Sequence, residues 1–401
     1  SVMDDNILVL CLNPDLSINN DYRLNYLRGE YGIEVDYIYR IKPQNIKNWF
    51  MGLLICNRNI IQKGVLINLV KWVFWLLSII IRLMIDKGKY QKIVENNFNQ
   101  NWARDLLEKC KPNLLIFDWI KRYQHNSGVI MDAAKEKGIP IVALPHGINL
   151  ITSKFHTNKE EKQNCVLDMG KMFYDFDYCF LSNELEKQQH NYRGIEEKKI
   201  IVKGSSRFSK EWIKINNLIR PSYLNDSDHN EKLKVVFMEH SNHYRANDEE
   251  IIKSINKISG LDFVKIIIKA HTRSNRFYNK YLNVEFAPSE VTSTELCEWA
   301  DTVIVTISSI AIEPLLKDRV LIYPEYFHRN KTLWGDLDAC WKINNQSELI
   351  EAMYKLKDNP KFKPYSQKNV EYFLDQAIYN GDRTLDILQG YSNFILNLTN
   401  E

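Results

Sequence analysis

The stretch that most constrains this chain is Thr302-Val303-Ile304-Val305-Thr306-Ile307, followed at once by Ser308-Ser309-Ile310-Ala311-Ile312-Glu313-Pro314-Leu315-Leu316. A run of β-branched residues without polar alternation is what a strand buried on both faces requires, and such strands belong to parallel sheets covered by helices. An apolar helix opens after the two serines, and Val320-Leu321-Ile322-Tyr323-Pro324 reads as the next strand. The turn carries chemistry as well. A strand running through Ser308-Ser309 into a helix leaves backbone N–H groups and two hydroxyls at the helix N-terminus, an arrangement suited to a phosphate or pyrophosphate. Ser308 is equally suited to be an ordinary helix cap, and both readings stand at this point.

The same strand-and-helix alternation runs through most of the chain. Strand patterns occur at Ile7–Leu12, Asp36–Tyr39, Asn113–Trp119, Ile139–Leu144, Tyr178–Ser182, Lys199–Gly204, Leu233–Met238 and Phe263–Lys269. Val129–Gly138 reads as a helix with a glycine stop, and Asn369–Leu398 as helix interrupted at Gly381-Asp382. The polar segment Pro221–Glu231 reads as a solvated loop, and the architectural idea is repeated on either side of a break between Gly204 and Pro221. At 401 residues, 45% hydrophobic and 26% charged, the chain has room for two domains with a real core. The expected fold class is α/β, with two Rossmann-like domains.

Bulk composition removes several function classes. Lys plus Arg number 53 against 50 Asp plus Glu, too small an excess to argue for a nucleic-acid partner. Seven scattered cysteines without a Cys-x-x-Cys pair point to reduced thiols, not to a disulfide framework or a zinc site. No basic region followed by a cleavage site precedes the first strand, so the expected location is cytoplasmic.

One segment departs from the pattern. Between Val65 and Ile85 nearly every residue is apolar, yet only ten residues separate Lys71 from Arg82, too few to cross a bilayer. At roughly 100° per residue, Asn68, Lys71, Ser78 and Arg82 fall on one narrow stripe. Such a helix either buries its surface against protein, in a core or dimer, or lies in a membrane interface with its cations snorkelling. Lysines and arginines on both flanks fit an anionic surface, with Lys71, Trp72, Phe74 and Arg82 as its contacts.

Four constellations sit where strands end, which is where open α/β sheets bind ligands. The first is Leu144-Pro145-His146-Gly147, where His146 suits a general base at neutral pH or a structural hydrogen bond; Asp118 ends a neighbouring strand. The second, Lys203-Gly204-Ser205-Ser206-Arg207-Phe208, serves as an anion cradle or as a hinge. The third is Glu239-His240-Ser241. The fourth delivers Lys269, His271, Arg273 and Arg276 within eight residues, a set that suits a diphosphate and the charge that develops as it leaves, or else a solvated basic loop.

Taken in order, His146-Gly147, then Gly204-Ser205-Ser206-Arg207-Phe208, then Lys269-Ala270-His271-Thr272-Arg273, then Ser308-Ser309 with Glu313, the set resembles GT-B transferases of bacterial surface polysaccharides. Capsule and lipopolysaccharide Kdo transferases, polysialyltransferase-type enzymes and CDP-glycerol glycerophosphotransferases share this pattern, with a His-Pro where this chain has His271-Thr272. The resemblance covers about residues 100 to 330. It implies an acceptor-side domain over 1–205, a nucleotide-donor domain over 206–370, a cleft between them, and a C-terminal segment, 371–401, crossing back onto the first domain. It also implies that His271 and Ser308-Ser309 hold the donor phosphates, with Lys269, Arg273, Gly204, Ser205, Arg207 and His240 in support. Glu313 would bind the ribose or sugar, and His146 or Asp118 would act as base or nucleophile. The activity implied is metal-independent transfer of a sugar from a CMP-, UDP- or GDP-linked donor, used as substrate with no further cofactor. The acceptor would be a surface polysaccharide or a lipid-linked glycan. A CDP-glycerol or CDP-ribitol phosphotransferase is the nearest alternative, and a non-catalytic glycan-binding or assembly protein of the same fold the next.

Overall fold

The computed structural model describes residues 7–11, 37–40, 99–118, 127–145, 147–155, 175–192, 195–219, 232–240, 245–271, 280–288 and 291–400. The chain divides into two compact units, one of 1–146, 163–207 and 386–401, the other of 147–162 and 208–385. Residues 147–162 therefore leave the first unit, where the sequence pattern had placed everything up to 205. Of the expected C-terminal segment, only 386–401 returns to it. The apolar segment 65–85 lies outside the described residues. No described helix is long and apolar enough to cross a membrane.

The first unit holds strands β1 (Ile7–Cys11) and β2 (Tyr37–Arg40), helix α1 (Gln100–Cys110), β3 (Leu114–Asp118), α2 (Ser127–Glu136) and β4 (Ile141–Leu144). After β5 (Ile151–Ser153), which belongs to the second unit, come β6 (Tyr178–Leu181), α3 (Glu184–Tyr192) and β7 (Ile200–Val202). Its sheet is parallel in the order β2-β1-β3-β4-β6-β7. Helix α1 starts where the Asn99 side chain accepts the Trp102 N–H at 3.1 Å, and stops where Lys111 turns left-handed at φ 44. Ala103, Leu106, Leu107 and Cys110 form its buried stripe, at the spacing one helix face demands. Helix α2 ends at Gly138, whose φ of +69 a side chain resists. Cys110, Cys179, Cys297 and Cys340 are free and buried, and burial pushes the Cys179 thiol up to about 12, so it is inert at neutral pH.

The second unit begins with α4 (Lys210–Ile219) and continues through β8 (Leu233–Met238), α5 (Asp248–Ser259), β9 (Val264–Lys269), β10 (Glu285–Phe286), α6 (Ser293–Trp299), β11 (Thr302–Val305) and α7 (Ile312–Leu316). It is completed by β12 (Val320–Pro324), β13 (Lys331–Thr332), α8 (Leu333–Asp336), β14 (Trp341–Ile343), α9 (Gln346–Asp358) and α10 (Gln367–Ile378). All neighbours in its main sheet are parallel, in the order β10-β9-β8-β11-β12-β14. Helices α5 and α9 are capped by Asn247 and Asn345 and pack on one face of that sheet. Their apolar stripes, Ile251, Ile255 and Ile258 on one and Leu349, Ala352, Met353 and Leu356 on the other, meet Val235, Phe237, Ile266, Ile268, Ile304 and Ile322. Burying each large side chain of this kind is worth about 1.5–3 kcal/mol.

The excursion at 147–155 is fastened to the second unit by a strap. Strand β5 pairs antiparallel with β13, with Ile151 opposite Thr332. The Leu333 N–H donates to the Leu150 carbonyl at 2.8 Å, and the Phe155 N–H to Asn330 Oδ1 at 3.0 Å. The Arg329 guanidinium sits 5.2 Å from the Phe155 ring centroid. Helix α11 (Ile387–Asn400) closes the chain on the first unit, where Tyr391 stacks on Phe180 at 4.6 Å and donates its hydroxyl to the Gly204 carbonyl at 3.0 Å.

Candidate functional site

Counted within the second unit, the strand order is 3-2-1-4-5-6, the order of a Rossmann fold. The order reverses between β8 and β11, and ligands of open α/β sheets bind outside the carboxyl ends of strands at such a switch point. Register sets the ends level: Val305 pairs with Met238, and Met238 with Lys269. Thr306, Glu239 and Ala270 thus leave the sheet at one height. Two of the four constellations read from sequence, the third and the fourth, are brought to this one edge, together with the turn that leads to Ser308-Ser309.

On the β8 and β9 side, Glu239 is the joint. Its N–H donates to the Lys269 carbonyl at 3.0 Å, and its buried carboxylate accepts the His271 N–H at 3.2 Å. The bond holds the backbone of His271, whose side chain is half-buried, beside the switch point. His240 is buried, its Nε2 4.0 Å from the Asp248 carboxylate at the start of α5. Lys269 has a different employment from the one its charge suggested. Its ammonium donates to the carbonyls of Pro288 and Val291, fastening the end of β9 to the loop before α6. Arg273 lies outside the described residues.

On the β11 side, the strand stops at Val305 and the chain turns through Thr306 and Ile307. Ser308, extended at φ -157, caps a short 3₁₀ turn at Ser309–Ala311 that runs into α7, its side chain accepting the Ile310 N–H at 3.3 Å. The capping reading of Ser308 is therefore present in the structure. It does not exclude the other, because a capping oxygen keeps its own proton for donation and the first turn keeps N–H groups without intrahelical acceptors. Ser309 is half-buried beside it. Glu313, nearly buried on α7, accepts the Thr294 hydroxyl at 3.0 Å. Thr294 is placed by the capping box of Thr292 and Glu295 that starts α6.

Sequence reasoning missed the loop after β12. His328 there is buried, its ring lying against the Thr306 backbone and its Nδ1 accepting the Asn330 N–H at 3.2 Å. Burial pushes its pKa down to about 4, against the smaller opposing effect of the Thr306 and Asn330 backbone, so the imidazole is neutral at physiological pH. A single histidine in a loop has no periodicity to give it away. The only hint was its place a few residues beyond a strand end. Behind it, the Tyr323 hydroxyl donates to the Asn330 carbonyl at 3.3 Å. At Gly335, a Cβ would come within 2.9 Å of the Tyr323 ring, so the close approach of α8 requires glycine.

The remaining candidates belong to the first unit. Asp118 ends β3 in register with Leu144 of β4, and His146, two residues beyond, lies outside the described residues. Gly204, at φ +84, is followed by buried Ser205 and Ser206 and half-buried Arg207, the last residue of the first unit before the chain crosses. The membrane-contact candidates Lys71, Trp72, Phe74 and Arg82 lie outside the described residues. Among the described residues no group of three or more His, Cys, Asp and Glu side chains is placed to hold a metal ion.

No protein family and no curated protein matches the sequence. Solved structures do match the fold. A variant of the wall teichoic acid polymerase TagF aligns over 100% of this chain and 90% of its own, at 10% identity and a TM-score of 0.54. UDP-N-acetylglucosamine 2-epimerase from Rickettsia bellii aligns over 97% of both chains at 12% identity and a TM-score of 0.52. The UDP-GlcNAc 2-epimerase of Neisseria meningitidis, bound to UDP-GlcNAc, aligns over 98% of this chain and 99% of its own at 14% identity and a TM-score of 0.50. At such identities the likeness speaks for the architecture: the chain has the GT-B fold, built of two Rossmann-like units.

Proposed function

We propose that the chain is a GT-B glycosyltransferase that moves a sugar from a nucleotide-activated donor to a surface polysaccharide or lipid-linked acceptor. The observation that carries this reading is the convergence of His271, Glu239 and Ser308-Ser309 on the β8/β11 switch point of a Rossmann-ordered sheet. Backbone N–H groups and hydroxyls at Ser308-Ser309, with His271 and Arg273, would receive the phosphates. As the glycosidic bond breaks, negative charge grows on the departing phosphate, and preset donors and cations stabilise it without a metal. Glu313, held by Thr294, would accept hydroxyls of the ribose or sugar. His146 or Asp118 would serve the acceptor as base or nucleophile, with Gly204, Ser205 and Arg207 at the chain crossing. An anionic membrane surface touched by Lys71, Trp72, Phe74 and Arg82 would bring the enzyme to a lipid-anchored acceptor.

The structures that share the fold handle nucleotide-linked substrates by their descriptions, UDP-GlcNAc in one epimerase and CDPG in a soaked TagF variant. Their common ground supports the nucleotide site. The likeness to TagF favours a second reading, transfer of glycerol phosphate from CDP-glycerol, in which the same phosphate groups would be held but the bond broken is phosphate to phosphate.

Thermal shift with CMP, CDP, UDP, GDP and ADP tests the shared premise, since a ligand at 100 times its dissociation constant adds about 2.7 kcal/mol of stability. Nucleotide release that depends on a glycan acceptor then supports transfer. Interconversion of the sugar without acceptor would make the chain an epimerase, and tight binding without turnover a binding protein.

A further inference from the structure

The loop between β12 and β13 is built around Asn330, which is buried and engages three neighbours at once. Its N–H donates to Nδ1 of His328 at 3.2 Å, its carbonyl accepts the Tyr323 hydroxyl at 3.3 Å, and its side-chain Oδ1 accepts the Phe155 N–H at 3.0 Å. The first two bonds hold the loop against the end of β12, and the third holds the strap to the loop. His328 carries the connection onward. Because Nδ1 accepts from Asn330, the proton of the neutral ring resides on Nε2. The ring also hydrogen-bonds the Thr306 backbone, and Nε2–H is the donor left for it, so the partner is the Thr306 carbonyl. Burial holds the ring neutral, with a pKa of about 4, and this order of donors and acceptors is therefore fixed at physiological pH.

Both ends of this chain of bonds matter to the site. Thr306 leaves β11 two residues before Ser308, so its peptide sets the direction in which the backbone reaches the Ser308 cap. At the other end, β5 and β13 pair over two residues with a shift of register, a ladder too short to be stable by itself. The strap therefore depends on the bonds around it: Phe155 on Asn330, the Leu150 carbonyl on the Leu333 N–H, and the Thr152 hydroxyl on the Asp336 carboxylate. The whole path, from Ser308 through Thr306, His328 and Asn330 to Phe155, lies within the second unit. Gly147, where the strap begins, follows His146 directly in the chain.

We propose that His328 and Asn330 are positioning residues that couple the Ser308-Ser309 turn to the strap at 147–155, so that a nucleotide held by the turn steadies the segment that follows His146. The inference rests on the nucleotide-donor reading of the turn. Neither residue touches the nucleotide; His328 acts through the Thr306 peptide, and Asn330 through the Phe155 N–H.

Hydrogen exchange read by mass spectrometry on the full chain, with and without UDP or CDP at saturation, tests the coupling. In the wild type the nucleotide slows exchange over 303–313 and also over 147–155, the latter by about fivefold, the factor that one net hydrogen bond is worth. Asn330→Ala removes the acceptor of the Phe155 N–H and keeps the backbone bond to His328. This variant binds nucleotide within about twofold of the wild type and keeps the protection over 303–313, but nucleotide no longer slows exchange over 147–155. His328→Phe has a ring of similar shape without either nitrogen. It loses the response of the strap as well, and its nucleotide affinity falls about fivefold. A merely structural role would speed exchange over 147–155 by the same factor with and without nucleotide. That result, protection confined to 303–313 in the wild type, or a strap response that survives in both variants would overturn the coupling and leave the nucleotide site standing. Absence of any nucleotide binding in calorimetry would overturn the donor reading and the coupling with it.

Discussion

Lys269 separates a structural from a ligand-binding use of charge. Replacing it with Met keeps the aliphatic stem and removes the ammonium that donates to the Pro288 and Val291 carbonyls. A hydrogen bond from a charged donor contributes about 1.5–3 kcal/mol, and leaves its acceptors unsatisfied when removed. Lys269 is half-buried, so water replaces part of the loss, and a total of about 2–4 kcal/mol is the reasonable sum for two such bonds. In a unit of 150–250 residues, each kcal/mol moves the melting temperature by about 2–4 °C, which puts the expected drop at about 5–15 °C. The loop released also leads into Thr292, the cap of the helix whose Thr294 holds Glu313, so sugar-nucleotide affinity falls by a smaller factor. Thermal unfolding followed by circular dichroism, with nucleotide titration at a temperature where both proteins are folded, reads the two effects apart. An unchanged melting temperature combined with a tenfold or greater loss of nucleotide affinity would refute the reasoning and return Lys269 to the phosphates.

Three further outcomes follow from the same residues. His328 protonates near 6.5 in an unfolded chain but only at about 4 in the fold, so the unfolded state binds more protons between those values and stability rises with pH through that window. His328→Phe should flatten this limb, which amounts to about 3 kcal/mol in denaturant titrations from pH 4 to 7; an undiminished slope would assign it to other groups. His146→Ala should lower turnover by about 10²–10⁴-fold with nucleotide affinity nearly intact, and turnover that survives passes the role to Asp118. The protein should sediment weakly and in a salt-dependent way with anionic liposomes, and exchanging Trp72 and Phe74 for Ser should release it while transfer to a soluble acceptor persists; indifference to liposomes in the wild type would remove the membrane contact from the account.

Much of the fold was legible because buried parallel strands have a local signature. Leu233–Met238 and the β-branched core of Thr302–Val305 are read from sequence to within a residue or two, as is the glycine that ends α2. Strand β11 stops earlier than its apolar run, since Thr306 and Ile307 stay buried while the chain turns. Pattern carries no information about pairings between short distant segments. The strap joins a three-residue strand at 151 to a two-residue strand at 331, neither long enough to show a period. The site was legible as a set of strand ends, because cations, serines and histidines cluster at them. The employment of each side chain was not, since nothing local shows that the Lys269 ammonium reaches two carbonyls or that His328 folds in beside Thr306. His146, Arg273 and the apolar segment at 65–85 lie outside the described residues.

The central claim is that a nucleotide places its phosphates at the switch point between β8 and β11. A crystal structure of the chain with the nucleotide diphosphate that stabilises it most tests this directly. The account predicts phosphate oxygens within hydrogen-bond distance, about 2.7–3.2 Å, of the backbone N–H groups or hydroxyls of Ser308 and Ser309, with His271 beside them. A nucleotide bound more than one side-chain length from Ser308, Ser309 and His271 would contradict it.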